Sequence, residues 1–107
     1  MVLLFKKAMD NLKIILQGDW EADHEQQTKL GENTLDIVVD LRQTLNHDAA
    51  PELCGQLEEL YNYIIARLTM GLAVNQPQPF EESLKVLGPI AEAFTTAVQQ
   101  ASQRAGQ

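Results

Sequence analysis

Apolar residues recur every three or four positions along most of the chain, the spacing that lines up one side of an α-helix. From Val2 to Gln17, Phe5, Ala8, Leu12, Ile15 and Leu16 alternate with Lys6, Lys7, Asp10 and Lys13, which predicts helix A. Gly18 can end that helix in the left-handed conformation, and Asp19 can cap the next. From about Trp20 to Leu45 a stripe through Leu30, Thr34, Ile37, Leu41 and Leu45 follows a polar first half and predicts helix B. Asn46, His47 and Asp48 then form a turn, and Pro51, tolerated only in the first turn of a helix, opens helix C.

Within helix C the series Leu53, Leu57, Leu60, Ile64, Leu68 and Leu72 marks its core line, and Asn75-Gln-Pro-Gln-Pro79 breaks the pattern. Helix D follows with Phe80, Leu84, Leu87, Ala91, Phe94 and Val98. Helices over about 2–17, 20–45, 51–74 and 79–103, joined by short connections, predict an all-α fold: an antiparallel up-down-up-down four-helix bundle forming one domain over 1–107.

Two helices carry more apolar surface than a core line needs. In helix D, Val86, Ile90, Ala93 and Ala97 form a second stripe about 60° from the first, and Gly88-Pro89 interrupts the helix near its middle. In helix B, Leu35, Val38 and Val39 widen the stripe. If helices B and D are neighbours, the surplus borders one groove able to take an amphipathic segment. The expected partner-binding groove therefore comprises Leu35, Val39, Tyr61, Val86, Ile90, Ala93 and Ala97. Tyr61 and Tyr63 flank the core line of helix C, where a phenol packs its ring on apolar surface and offers its hydroxyl to water, the bundle or a partner.

Composition narrows the function classes. Eight basic against fifteen acidic residues give a net charge of -7, which repels nucleic acid and anionic lipid. No apolar run approaches the ~20 residues of a membrane span, and Lys6 and Lys7 follow the apolar start where a secretory signal would have charge first. The lone Cys54 suits a reducing compartment, so the expectation is a cytoplasmic chain without membrane insertion.

Catalytic, metal and cofactor chemistry finds no constellation. Glu21 and His24 make half of a di-iron motif with no second half, since His47 has Thr44 at the matching position. A histidine phosphotransfer reading fails because Lys29 and Gly31 are misplaced relative to His24. Ser83 and Ser102 lack a glycine-rich elbow or phosphate loop, and Cys54 has no base beside it in sequence. The chain is expected to be a non-enzyme without cofactor.

The segment from Leu45 to Leu68, LNHDAAPELCGQLEELYNYIIARL, resembles the flagellar secretion chaperone FliS family, through Leu45, Glu52, Leu57, Leu60, Tyr61, Tyr63, Arg67 and Leu68. Leu4-Phe5-Lys6-Lys7-Ala8 is similar to an early family stretch, and Leu84, Leu87, Ile90 and Phe94 match its last helix. Lys6, Lys7, Ala50, Pro51 and Phe94 depart from the usual pattern, and a tyrosine-bearing N-terminal segment usual in the family does not precede helix A. The resemblance implies a chaperone that holds the disordered C-terminal segment of flagellin, prevents premature polymerisation and hands it to the flagellar export apparatus. A second copy of the chain is a further candidate partner, and an adaptor without chaperone activity, dimerising through its surplus stripes, is the alternative.

Overall fold

The computed structural model describes the backbone of residues 2–105 and the side chains of residues 3–96. Four helices follow one another: α1 (Val2–Gln17), α2 (His24–Gln43), α3 (Pro51–Val74) and α4 (Gln78–Ala105). Each packs on its sequence neighbours, and α1 also packs on α4, so the helices stand in a closed square with α1 opposite α3 and α2 opposite α4. The fold is the four-helix bundle that the periodicity predicts. α2 and α4 stand on a diagonal and are not backbone neighbours among the described residues, so the groove expected between helices B and D does not form along their lengths.

Phe5, Ala8, Leu12 and Ile15 of α1 meet Ile37, Val38 and Leu41 of α2, Tyr61, Ile64 and Leu68 of α3, and Phe80 and Leu87 of α4 in a single buried cluster. Removing this much apolar surface from water is what holds a bundle of this size together. Val38, expected as surplus, is fully buried, whereas Leu35 and Val39 are half-buried. The core line of α3 is rotated from the expected one. Cys54, Tyr61, Ile64, Leu68 and Gly71 face inward, while Leu53 and Leu60 of the leucine series are 57% and 39% exposed.

The first connection differs from the expected one in a way that explains the early tryptophan. Gly18 does not take a positive φ. What it supplies is space: a Cβ there would collide with the Gln27 side chain, whose Nε2 donates to the Ile15 carbonyl at 2.9 Å. The Ile15 carbonyl near the end of α1, which also accepts from Gly18 N at 3.3 Å, thereby gains a second donor from α2. The Asp19 carboxylate accepts from the backbone N–H groups of Glu21 and Ala22, holding residues 18–23 as a turn and delaying α2 to His24. Trp20 thus lies outside the helix. Its ring is buried and stacks on Phe80 at 5.3 Å.

Phe80 reaches in from the start of α4 and fills the space left by two glycines. A Cβ at Gly71 would lie 2.6–3.0 Å from three ring atoms, and one at Gly31 3.3 Å from another. At the other junctions, Asn75 closes α3 in the left-handed conformation (φ 57°) with its N–H donated to Gly71 O, and Pro51 sits at the start of α3. Both place a residue where its conformational restriction costs least.

Candidate partner-binding groove

Where α2 ends and α3 begins, the bundle is not closed. Thr44 follows the last turn of α2, and residues 44–50 carry the chain across to Pro51. The Cys54 thiol donates to Asn46 O at 3.3 Å, and Ala49 N donates to both Asn46 O and Asn46 Oδ1, which fixes the crossing. Leu41 and Leu45 from α2 and its exit, Leu53, Leu57 and Tyr61 from α3, and Pro89, Ile90, Ala93 and Phe94 from α4 line a groove of about 540 Å³ at this end. Phe94 forms its boundary with α1, tilted against Phe5 at 5.4 Å.

The polar groups of this groove are nearly all occupied. Thr44 Oγ1 donates to Leu41 O at 2.7 Å, and Asn46 is used by the crossing. The side-chain hydrogen bonds of α3 come from Cys54, Asn62, Arg67 and Thr69. Tyr61 makes none among the described residues, although it is 97% buried and lines the groove. Burial pushes its phenol above the ordinary value of 10.0, so it is a neutral donor at physiological pH. An apolar trough with one unengaged hydroxyl is the arrangement expected of a site that takes an amphipathic segment by area and fixes it by a single polar contact.

Of the seven residues expected to bind a partner, Tyr61, Ile90 and Ala93 come together here. Leu35, Val39 and Val86 do not line this groove, and Leu35 and Val86 pack instead against the edge of the core. Ala97 lies outside the residues whose side chains are described, as does Val98. Leu41, Leu45, Leu53 and Leu57 belong to the groove without having been assigned to it. In sequence they sit on the core lines; the rotation of α3 and the end of α2 at Gln43 turn Leu45, Leu53 and Leu57 toward the groove, while Leu41 stays buried at its floor.

Two other hollows are of different character. The α1–α2 hollow is bordered by Lys7, Asp23, Glu25 and Lys29, and the α1–α4 hollow by Lys6, Lys85 and Glu92 around Met9 and Gly88. Mixed charges at their rims favour water over an apolar guest. Glu21 lies in the first turn and not on α2, so it does not share a helical face with His24. Among the described residues no helix is long and apolar enough to cross a membrane.

Comparison with known proteins adds an independent line. The family model described as "Flagellar protein FliS" matches residues 1–101. A curated relative, the flagellar secretion chaperone FliS of Vibrio cholerae serotype O1, is 25% identical over 89 residues. Those residues make up 83% of this chain and 58% of that relative, so the chain spans a little over half of the relative's length.

Proposed function

The chain belongs to the FliS family of flagellar proteins, and from that premise we propose that it is a cytoplasmic flagellar export chaperone whose client is the C-terminal segment of flagellin. The client docks in the groove at the α2–α3 end of the bundle. The single observation that supports this most is the coincidence of family membership with an open apolar groove holding Tyr61, Ile90 and Ala93. The chain works by binding and release, holding the segment away from other flagellin molecules until the export apparatus receives it.

The energetics suit such a role. A disordered segment that folds as it docks spends part of the interaction on ordering, so the complex is specific and still reversible. Leu41, Leu45, Leu57, Ile90 and Phe94 supply the apolar contact, and the Tyr61 hydroxyl donates to a backbone carbonyl of the guest. Ala93, small and exposed, lets the guest backbone approach α4.

Calorimetry with a flagellin C-terminal peptide tests this reading. The wild-type chain is expected to bind with a negative heat-capacity change, the mark of apolar burial. Ala93→Glu places a charge at the groove rim without touching the core and is expected to weaken binding about tenfold or more, ~1.4 kcal/mol. Ile90→Asp is expected to abolish it, with a cooperative circular-dichroism melt retained as the control for folding. Unchanged affinity in Ala93→Glu would contradict the placement of the client.

A further inference from the structure

The cations of this acidic chain are gathered on one side. All five lysines stand on α1 or on the rims of the two hollows that border it, Lys29 on α2 and Lys85 on α4. Lys29 and Lys85 are paired with Glu25 and Glu81 on their own helices, and Lys6 with Asp10 at 3.0 Å. Among the described residues Lys7 and Lys13 have no carboxylate partner, so α1 presents two exposed, unpaired cations on a chain of net charge -7. The first turn of α1 holds no acidic residue, although the positive end of a helix favours carboxylates. The charge pattern is therefore not arranged for the stability of α1 alone.

Apolar side chains accompany these cations. Leu3 is 79% and Ile14 46% exposed, and about 16 Å of helix separates them along one side of α1. At about 100° per residue, Lys7 falls on one flank of that line and Lys6 and Lys13 on the other. Accordingly Lys7 borders the α1–α2 hollow and Lys6 the α1–α4 hollow. We propose that the outer face of α1 is a docking surface for an acidic amphipathic helix of another protein. The apolar line of that helix covers Leu3 and Ile14, and its flanking carboxylates pair with Lys7 and Lys13.

Charge complementarity selects this occupant. The same face of another copy would set lysine against lysine. A nucleic acid or an anionic lipid surface meets the repulsion of the whole -7 chain and leaves Leu3 and Ile14 without apolar cover. A single helix brings its carboxylates only where the lysines are and covers both apolar side chains. Asp23 and Glu92, at the rims of the two hollows, repel carboxylates that leave α1 and so confine the partner to its outer face. Because α1 stands opposite α3, that face is turned away from the groove, and partner and guest can be held together. The inference does not depend on the identity of the guest. Exposed ion pairs are weak and screened by salt, so the docking is reversible and salt-sensitive.

Fluorescence anisotropy tests it, with the full chain and a labelled peptide of about 20 residues built from Glu and Ala with leucines along one helical face. Saturable binding is expected, weakened about tenfold or more between about 50 and 300 mM salt, with amide-exchange protection on α1. Lys7→Gln combined with Lys13→Gln, and separately Ile14→Gln, are each expected to weaken it about tenfold or more with thermal melts unchanged. Gln43→Glu combined with Gln56→Glu lowers the net charge by the same amount at exposed sites away from α1 and is expected to bind as wild type. An equal loss in that control pair, equal binding of a leucine-free Glu-Ala peptide, or protection in the groove instead of on α1 would each overturn the proposal. So would no binding at about 1 mM chain, tighter binding of duplex DNA or anionic vesicles than of the peptide, or protection of α1 that grows with the chain's own concentration.

Discussion

Phe80 shows how one side chain depends on what its neighbours lack. With three of its ring atoms within 3.0 Å of a Cβ built on Gly71, Gly71→Ala has to push the ring toward Trp20 and is expected to destabilise the chain by about 1–3 kcal/mol. Gly55, on the same helix, has nothing within 4 Å of such an atom, and Gly55→Ala is expected to stabilise by about 0.5–1 kcal/mol through helix propensity alone. Urea melts followed by the single tryptophan measure both. Tyr61 yields a pH effect. Its folded phenol holds the proton above the ordinary value of 10.0, so its contribution to stability is intact below that pH and fades as pH rises past it. Melts between pH 8 and 11 are expected to show a steeper alkaline loss in wild type than in Tyr61→Phe. Neither residue was fully legible in the sequence. Trp20 read as the start of a helix because Asp19 caps residues 21 and 22 as expected, and nothing local reveals that the capped turn stops before α2 begins at His24; Tyr61 read as a flank because a core line fixed by leucines alone points α3 slightly the wrong way.

At the scale of elements, the three-to-four spacing is enough to find all four helices, because each must bury one side against two neighbours. Their ends are set by contacts the pattern does not contain. α2 starts late because of the Asp19 turn, and α3 stops at Asn75, whose N–H closes the last turn on Gly71 O and whose left-handed φ of 57° then turns the chain out of the helix. A β-branched residue tolerates that conformation poorly, so Asn75→Val is expected to cost about 1–2 kcal/mol, whereas Asn75→Gly is expected to be neutral or stabilising, both read from thermal melts. The leucine series of α3 illustrates a different limit. Leu53, Leu57 and Leu60 fit a core line, yet the wider apolar circumference of the helix leaves its orientation to Cys54, Tyr61 and Ile64, and two of those leucines face outward.

For the molecule as a whole, the order of helices around the square decides what the surplus apolar residues can do. Periodicity says how much surface each helix offers and nothing about which helix stands beside which. Leu35 and Val39 on α2 were therefore joined in expectation to Val86 and Ile90 on α4, although those helices stand on a diagonal. What remains of the expected groove, Tyr61, Ile90 and Ala93, is drawn together where α2 stops short and α3 begins. On the proposed reading such an open end serves a chaperone of a disordered client, since the client would complete the bundle's apolar cover only while bound. Backbone hydrogen exchange with and without a flagellin C-terminal peptide tests that claim most directly. Added protection is expected at the end of α2, the first three turns of α3 and the stretch of α4 around Ile90, whereas protection confined to the α1–α2 or α1–α4 hollows would contradict it.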